Sequence, residues 1–420
     1  MASDPGRRRV AITGVGMVTP VGLDVESSWD ALLSGVSGAR TITRFDAEGY
    51  ATRIACEIDD FDPGAHISRK EARRYDRFLQ LAVVAGDEAM RSAGLGRSSL
   101  PAPPTASGAL IGSGVGGIAT LEANCSILAR RGPSRVSPFF IPMFIPDIAA
   151  GVLSIRYGLK GPNYATVSAC ASGTHAIGQA ARHISHGDAE LMLAGGAEAA
   201  VTPITIAGFG AMRAMSRRND DPKGASRPFD AGRDGFVIGE GAGIMVLEEM
   251  DRARARGAEI LAELAGYGAT GDAYHFTAPP PDAEGAQDAM RAALADAGIS
   301  ADQLDYVNAH GTSTPANDPA ETRAIKAVLG ERAYGVVVGS TKSMTGHLLG
   351  AAGAIEAVMC VMACRTGRIP PTINFSEPDP ECDLDYAHGG AVERTVEAAL
   401  NNSFGFGGHN ACLVTRRYED

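Results

Sequence analysis

Two helical segments that should be buried constrain the fold of this chain more than any other feature. Residues 347–364 are apolar on nearly all sides, and the helix predicted to begin near Cys170 is similarly rich in alanine and glycine. A helix that is apolar all round is buried. Each of these helices follows a predicted strand and a turn that carries reactive side chains. We therefore expect two similar halves that pack face to face.

Short apolar strands alternate with helical stretches, which is typical of an α/β protein. We predict strands at residues 10–16, 108–113, 164–167, 190–194 and 243–247. The first should end in a tight turn at Gly14 and Gly16. No third glycine follows at the spacing of a dinucleotide-binding loop, so we exclude dinucleotide binding. Asp318 is expected to cap a helix that closes at Gly330.

The composition argues against several classes of function. The 420 residues carry a formal net charge of −11, so we expect no nucleic-acid partner. The seven cysteines lack CxxC pairs or zinc-type spacing, which fits a reducing compartment. Residues 1–9 form a basic stretch without an apolar signal core, and we expect no run long enough to span a membrane. These observations predict a cytoplasmic protein without membrane insertion.

Cys170 lies in the segment YATVSACASGT, where an apolar strand meets the start of a helix. Small neighbours leave room for a substrate carbonyl. The N–H groups and partial positive charge of a helix N-terminus favour the thiolate, which is the nucleophilic form. Most free cysteines are simply small buried hydrophobes, so this segment alone leaves both interpretations open.

Two later turns favour the catalytic interpretation. His310 lies in VNAHGTSTP and His347 in STKSMTGHLLG, each after an apolar strand. A cysteine with two such histidines provides a nucleophile with proton donors nearby. The alternatives are two core histidines bonded to backbone, or a zinc site with Cys170 as the third ligand. The wide spacing of the three residues matches no compact zinc pattern, so we expect no metal.

Together with NSFGFGG near the C-terminus, these segments resemble the β-ketoacyl-acyl-carrier-protein synthases, most closely the elongating synthase II group. The resemblance covers nearly the whole chain and includes GSGVGG at 112–117, RPFD at 227–230 and DGF at 234–236. It implies an α/β thiolase-type fold with two similar halves in a five-layer α-β-α-β-α arrangement. Residues 1–258 would carry the nucleophilic cysteine and residues 259–420 the two histidines. It also implies a homodimer.

The resemblance further implies a decarboxylative Claisen condensation in fatty acid elongation. Cys170 would take an acyl group from acyl carrier protein. Malonyl-acyl carrier protein would then lose carbon dioxide and attack the acyl-cysteine, giving a longer 3-oxoacyl chain. No cofactor is expected on the chain itself, since phosphopantetheine arrives on the carrier protein.

Several catalytic roles follow from the same resemblance. Backbone N–H groups of Cys170 and Phe406 would hold the oxyanion, and losing one such donor typically costs about a hundred- to a thousandfold in rate. His310 and His347 would donate hydrogen bonds to the enolate. Val115 and Phe406 would gate the acyl pocket, although a valine there is also ordinary packing.

Four more residues match positions near the family's active site. Lys342 and Glu321 correspond to a buried ion pair, although helix capping alone would explain Glu321. Thr312 and Thr314 correspond to residues that bind the phosphopantetheine arm. Their alternative role is hydrogen bonding within the turn.

An acidic enzyme that docks an acidic carrier protein needs a local basic patch. The candidates are Lys70, Arg73, Arg74, Arg135 and Arg213. The alternative is that the charges at 69–74 form a solvated helix face. His409 departs from many relatives, which carry a smaller residue there, and it lies beside the predicted gate.

Three rival interpretations share the fold. A thiolase needs a second cysteine in a glycine-rich C-terminal loop, whereas Cys412 falls after that loop. The ketosynthase subunit of a type II polyketide system shares the catalytic set and stays open. The non-enzymatic chain-length partner subunit typically lacks the cysteine, so Cys170 argues against it.

Overall fold

The computed structural model describes residues 7–419; residues 1–6 of the basic stretch lie outside the described part. The strands are β1 Val10–Val18, β2 Arg40–Thr41, β3 Ile54–Ala55, β4 Ser107–Gly112, β5 Asn163–Tyr164, β6 Leu191–Glu198, β7 Gly241–Glu249, β8 Ala262–Gly271, β9 Tyr306–Asn308, β10 Val337–Gly339, β11 Arg368–Ile369, β12 Val392–Glu393, β13 Ala398–Gly405 and β14 His409–Arg416. The helices are α1 Val25–Leu33, α2 Arg69–Ala72, α3 Arg77–Ser92, α4 Ile118–Arg131, α5 Phe140–Phe144, α6 Ile148–Tyr157, α7 Ser172–His186, α8 Pro203–Ala211, α9 Met250–Ala255, α10 Glu284–Ala297, α11 Asn317–Leu329, α12 Lys342–Thr345 and α13 Ala352–Thr366.

The large sheet consists of two sets of strands with the same internal order. Its strands follow the order β10-β9-β13-β14-β8-β1-β7-β6-β4-β5. Outward from β8 and from β1, each set has two antiparallel pairings followed by two parallel ones. The sets join where Ala11 and Ile12 pair with Glu263 and Ala262. Two similar halves are therefore present, and the division between residues 258 and 259 stays a prediction.

Helices complete the five layers. Helices α7 and α13 contact each other and lie between the two sets of strands, where both touch β7 and β14. On the outer faces, α3 and α6 cover one set, while α10 and α11 cover the other. The central helices pack closely, since a Cβ on Gly353 would lie 1.9 Å from Thr174 Oγ1. The expected burial of both helices is confirmed.

Residues Leu349–Thr366 correct the expectation about membrane-spanning runs. This stretch of 18 residues is long and apolar enough to cross a membrane, so that expectation is wrong. However, 83% of the stretch is buried inside the protein, where it forms the turn before α13 and the helix itself.

The turn predicted at Gly14 and Gly16 is absent, because β1 continues through both residues to Val18. A Cβ on Gly14 would lie 2.2 Å from the carbonyl oxygen of Ala89, and one on Gly16 would lie 2.0 Å from that of Ala85. The glycines therefore allow α3 to lie directly against the strand.

The predicted start of α11 is also wrong, by two residues. The helix begins at Asn317, and Asp318 lies inside its first turn. The Asp318 carboxylate instead accepts the backbone N–H of Phe229 at 2.9 Å. The end of the helix at Gly330 is confirmed.

Candidate active site

Cys170 lies in a short 3-10 turn, Ala169–Ala171, that leads directly into α7. The residue before it, Ala169, has φ of 50°, which is disfavoured for any residue with a Cβ. The end of β13 lies against this turn, since a Cβ on Gly405 would be 3.1 Å from the Cys170 nitrogen. The sharp turn and its small neighbours present the sulfur at the floor of a cavity.

Both predicted histidines meet this cysteine. His347 Nε2 lies 3.0 Å from Cys170 Sγ, within hydrogen-bond reach. The rings of His310 and His347 have centroids 5.4 Å apart and are nearly perpendicular. The turn after β9 supplies His310, and the turn after α12 supplies His347. The three residues therefore form one site, with its nucleophile and histidines from different halves.

Burial controls the ionisation of all three groups. It raises the pKa of the Cys170 thiol to about 12, while the charge of Lys342 and the backbone N–H groups of Phe406 and Cys170 act in the opposite direction. Burial and the same lysine hold the pKa of both histidines well below the usual value. The N–H groups at the helix terminus therefore favour the thiolate, as expected, but burial acts more strongly in the opposite direction. The resting site has a protonated thiol and neutral imidazoles.

The predicted ion pair between Lys342 and Glu321 is replaced by a different one. Lys342 Nζ pairs with Glu356, and both side chains are buried. Glu321 instead accepts the backbone N–H groups of His310 and Gly311, both at 2.7 Å. Glu321 thus holds the turn that carries His310.

Glu356 was missed from the sequence, although a signal was present. It is the only acidic residue in α13, a helix that is otherwise apolar and mostly buried up to Cys364. A buried carboxylate requires a charged or hydrogen-bonding partner. Its isolation therefore indicated a partner, but not which lysine or arginine supplies it.

The three site residues also satisfy the distance criterion for a metal cluster. Their candidate ligand atoms all lie within 4.8 Å of one another. A histidine that binds a metal almost always donates its other ring N–H to a neighbour. In the described part of the chain, Nδ1 of His310 and Nδ1 of His347 have no hydrogen-bond partner. This environment fits a zinc site poorly.

A cavity of about 520 Å³ extends from the three residues. The predicted gate residues Val115 and Phe406 both line it. The Phe406 ring lies 6.4 Å from that of Phe209, which also lines the cavity. Thr312 and Thr314 line it too, with their hydroxyl oxygens 3.0 Å apart.

The five basic residues predicted for docking are all exposed, but they are not equally placed. Arg213 lines the cavity. Lys70 belongs to α2, and Arg73 ends it. The Arg74 guanidinium lies 4.4 Å from the centre of the Phe139 ring, and Arg135 ends the turn Pro133–Arg135. His409, also exposed, begins β14 next to the 405–408 turn.

Comparisons with known proteins cover nearly the whole chain. Residues 7–253 match the family described as "Beta-ketoacyl synthase, N-terminal domain", and residues 261–376 match the corresponding C-terminal domain. The 3-oxoacyl-[acyl-carrier-protein] synthase 2 of Synechocystis sp. is 53% identical over 98% of this chain and 99% of its own length. The Coxiella burnetii protein of the same name is 52% identical over 99% of this chain and 100% of its own.

Solved structures show the same fold. A β-ketoacyl synthase from Burkholderia phymatum has a TM-score of 0.91 and is 39% identical over 98% of this chain and 100% of its own. A type II polyketide ketosynthase, solved with its acyl-carrier protein and a hexaketide, has a TM-score of 0.91. It is 36% identical over 98% of this chain and 100% of its own. The predicted thiolase-type fold is confirmed.

Proposed function

Because the chain belongs to the β-ketoacyl synthase family, we propose that it lengthens acyl groups on Cys170 by condensation with a malonyl group. Relatives that are 52–53% identical over nearly the whole chain are 3-oxoacyl-[acyl-carrier-protein] synthases. They confirm the prediction of an acyltransferase that acts in fatty acid elongation. The mechanism rests on one observation, namely that Cys170, His310 and His347 lie together in one site.

The first half-reaction is acyl transfer to sulfur. The resting thiol is protonated, and neutral His347 lies 3.0 Å away, so its Nε2 accepts the proton as the sulfur attacks the thioester carbonyl. The tetrahedral oxyanion is held by the N–H groups of Cys170 and Phe406, the two donors beside the sulfur. Collapse breaks the old C–S bond, and the carrier thiolate leaves with the proton from His347.

The second half-reaction forms a carbon–carbon bond. Loss of carbon dioxide from the malonyl thioester leaves its electron pair as an enolate. A neutral imidazole has one N–H donor, so His310 offers one hydrogen bond to the enolate oxygen, and His347 offers a second in the tautomer that carries its proton on Nε2. The nucleophilic carbon then attacks the acyl carbonyl on Cys170, and the C–S bond breaks to release the sulfur as a thiolate, which takes up a proton to restore the resting thiol. Lys342 supplies a fixed positive charge near all three groups.

We further propose the partners and the setting of this reaction. The substrates are acyl and malonyl forms of acyl carrier protein, which dock at the basic residues Lys70, Arg73, Arg74, Arg135 and Arg213. Thr312 and Thr314 bind the phosphopantetheine arm inside the cavity. The active protein is a cytoplasmic homodimer that needs no cofactor of its own. Two domains, 1–258 and 259–420, contribute the nucleophile and the histidines respectively.

The test is intact-protein mass spectrometry after mixing with saturated acyl carrier proteins of medium and long chain length. We expect an added acyl mass that is lost in Cys170→Ala, followed by release of a 3-oxoacyl product when malonyl carrier protein is added. Acylation by polyketide-type starters alone would favour the polyketide ketosynthase. The absence of any adduct on folded protein would overturn the proposed function.

A further inference from the structure

Glu198, the last residue of β6, is buried close to Cys170 and has no part in the reaction above. Its carboxylate accepts four hydrogen bonds from neutral donors. Oε1 accepts Ser113 Oγ at 2.9 Å and the Val115 N–H at 3.3 Å. Oε2 accepts the Gly114 N–H at 2.6 Å and the Gly350 N–H at 3.0 Å.

These donors belong to two turns in different halves of the protein. The turn at 113–115 follows β4 and carries Val115, while Leu349 and Gly350 follow His347. Both Val115 and Leu349 line the cavity with Cys170. A Cβ on Gly114 would lie 2.8 Å from Glu198 Oε2, and one on Gly350 would lie 2.7 Å from it. The carboxylate therefore sits between two walls of the cavity and touches both.

One of these walls is strained. Leu349 has φ of 47°, a conformation that residues with a Cβ rarely adopt. Such conformations persist where the surrounding structure fixes them from several sides. The hydrogen bond from the next residue, Gly350, to Glu198 is one of these restraints.

An ionised carboxylate suits this position, and the hydrogen bonds to it act against burial, which raises the pKa of Glu198 to about 7. An ionised glutamate accepts hydrogen bonds on both oxygens and donates none, which matches four converging donors. A glutamine has the same shape, but its NH₂ group would face a backbone N–H in either orientation: that of Val115 at the Oε1 position, or those of Gly114 and Gly350 at the Oε2 position. The substitution therefore weakens the restraint while leaving the packing volume nearly unchanged.

We propose, on the basis of the condensation described above, that Glu198 is a positioning residue that fixes Val115 and Leu349 as walls of the acyl cavity and thereby restricts the acyl lengths that reach Cys170. It acts through these two residues and does not touch the reacting atoms. Loss of the restraint loosens the cavity beside the nucleophile.

The experiment compares wild type with Glu198→Gln in the acylation of Cys170 by carrier proteins that hold chains of increasing length. We expect the ratio of kcat/KM between the preferred chain and the poorest chain to fall by about tenfold in the variant. Glu198→Asp, which keeps both acceptor oxygens on a shorter stem, should restore part of the preference. Should Glu198→Gln not fold, Ser113→Ala removes one donor and should shift the ratio in the same direction by less.

The matched control is Glu88→Gln. Glu88 lies on α3 and accepts the N–H groups of Met17 and Val25, each at 2.8 Å, away from the cavity-lining residues. It should lower stability without changing the length profile. An unchanged chain-length profile in folded Glu198→Gln, or an equal change in Glu88→Gln, would overturn the role proposed for Glu198. Neither result would affect the proposed condensation. A wild-type chain that accepts no acyl group would overturn the condensation and this inference with it.

Discussion

At Cys170 two physical effects oppose each other, and burial prevails. The thiol is predominantly protonated at neutral pH, because burial raises its pKa to about 12. Below the pKa, the thiolate fraction rises about tenfold for each pH unit. We therefore expect the rate of Cys170 alkylation by iodoacetamide to rise steadily from pH 7 to pH 9. Mass spectrometry of the peptide that contains Cys170 measures this rate. Exposed Cys125 serves as the internal comparison. A plateau near pH 7 would show that the thiolate already dominates.

The Lys342–Glu356 pair makes a second prediction at the scale of single residues. Lys342→Ala should lower the free energy of unfolding by about 3–5 kcal/mol, because it leaves the buried Glu356 carboxylate without its partner. Double-mutant cycles by urea denaturation should give a larger coupling between residues 342 and 356 than between 342 and Glu321. Equal couplings would contradict the assignment of the pair.

The close contact between the elements β1 and α3 depends on glycines in β1, which have no side chain. Gly16→Ala would place a Cβ 2.0 Å from the Ala85 carbonyl oxygen, so the helix must move away from the strand. We expect a loss of about 1–3 kcal/mol in the free energy of unfolding.

Gly208→Ala is the control for this substitution. It lies in α8 with no neighbouring atom within 4 Å, and it should raise stability by up to about 1 kcal/mol. Urea denaturation of both variants checks the pair of predictions. A neutral Gly16→Ala would mean that the strand and helix are not in close contact.

The same elements show what the sequence could and could not predict. Burial of α13 followed from its own composition, and Cys170, His310 and His347 followed from their segments and the resemblance. The prediction of a turn at Gly14 and Gly16 was wrong. A glycine that lets a helix distant in the sequence pack closely has the same local sequence pattern as a glycine in a turn. The cap predicted at Asp318 was wrong for a similar reason. Its carboxylate accepts the backbone N–H of Phe229, a residue distant in the sequence. Glu198 gave no local signal, because its donors come from two remote turns.

For the whole molecule, the central layer decides how the protein unfolds. Helices α7 and α13 each contact strands of both halves, so neither half can keep its core when the other is lost. We expect one cooperative transition in calorimetry, with equal calorimetric and van't Hoff enthalpies. Two resolved transitions would show that the halves unfold as separate domains.

The origin of the nucleophile and the histidines in different halves has a consequence for biosynthesis. The ribosome makes Cys170 long before β9 and α12, so a nascent or prematurely terminated chain has the sulfur without either imidazole. Such a fragment cannot pass its thiol proton to His347 or stabilise an enolate. On the proposed mechanism, we therefore expect the chain to become reactive toward thioesters only after its last strands, β13 and β14, have been synthesised and folded, and we expect truncated products not to trap acyl groups from acyl carrier protein.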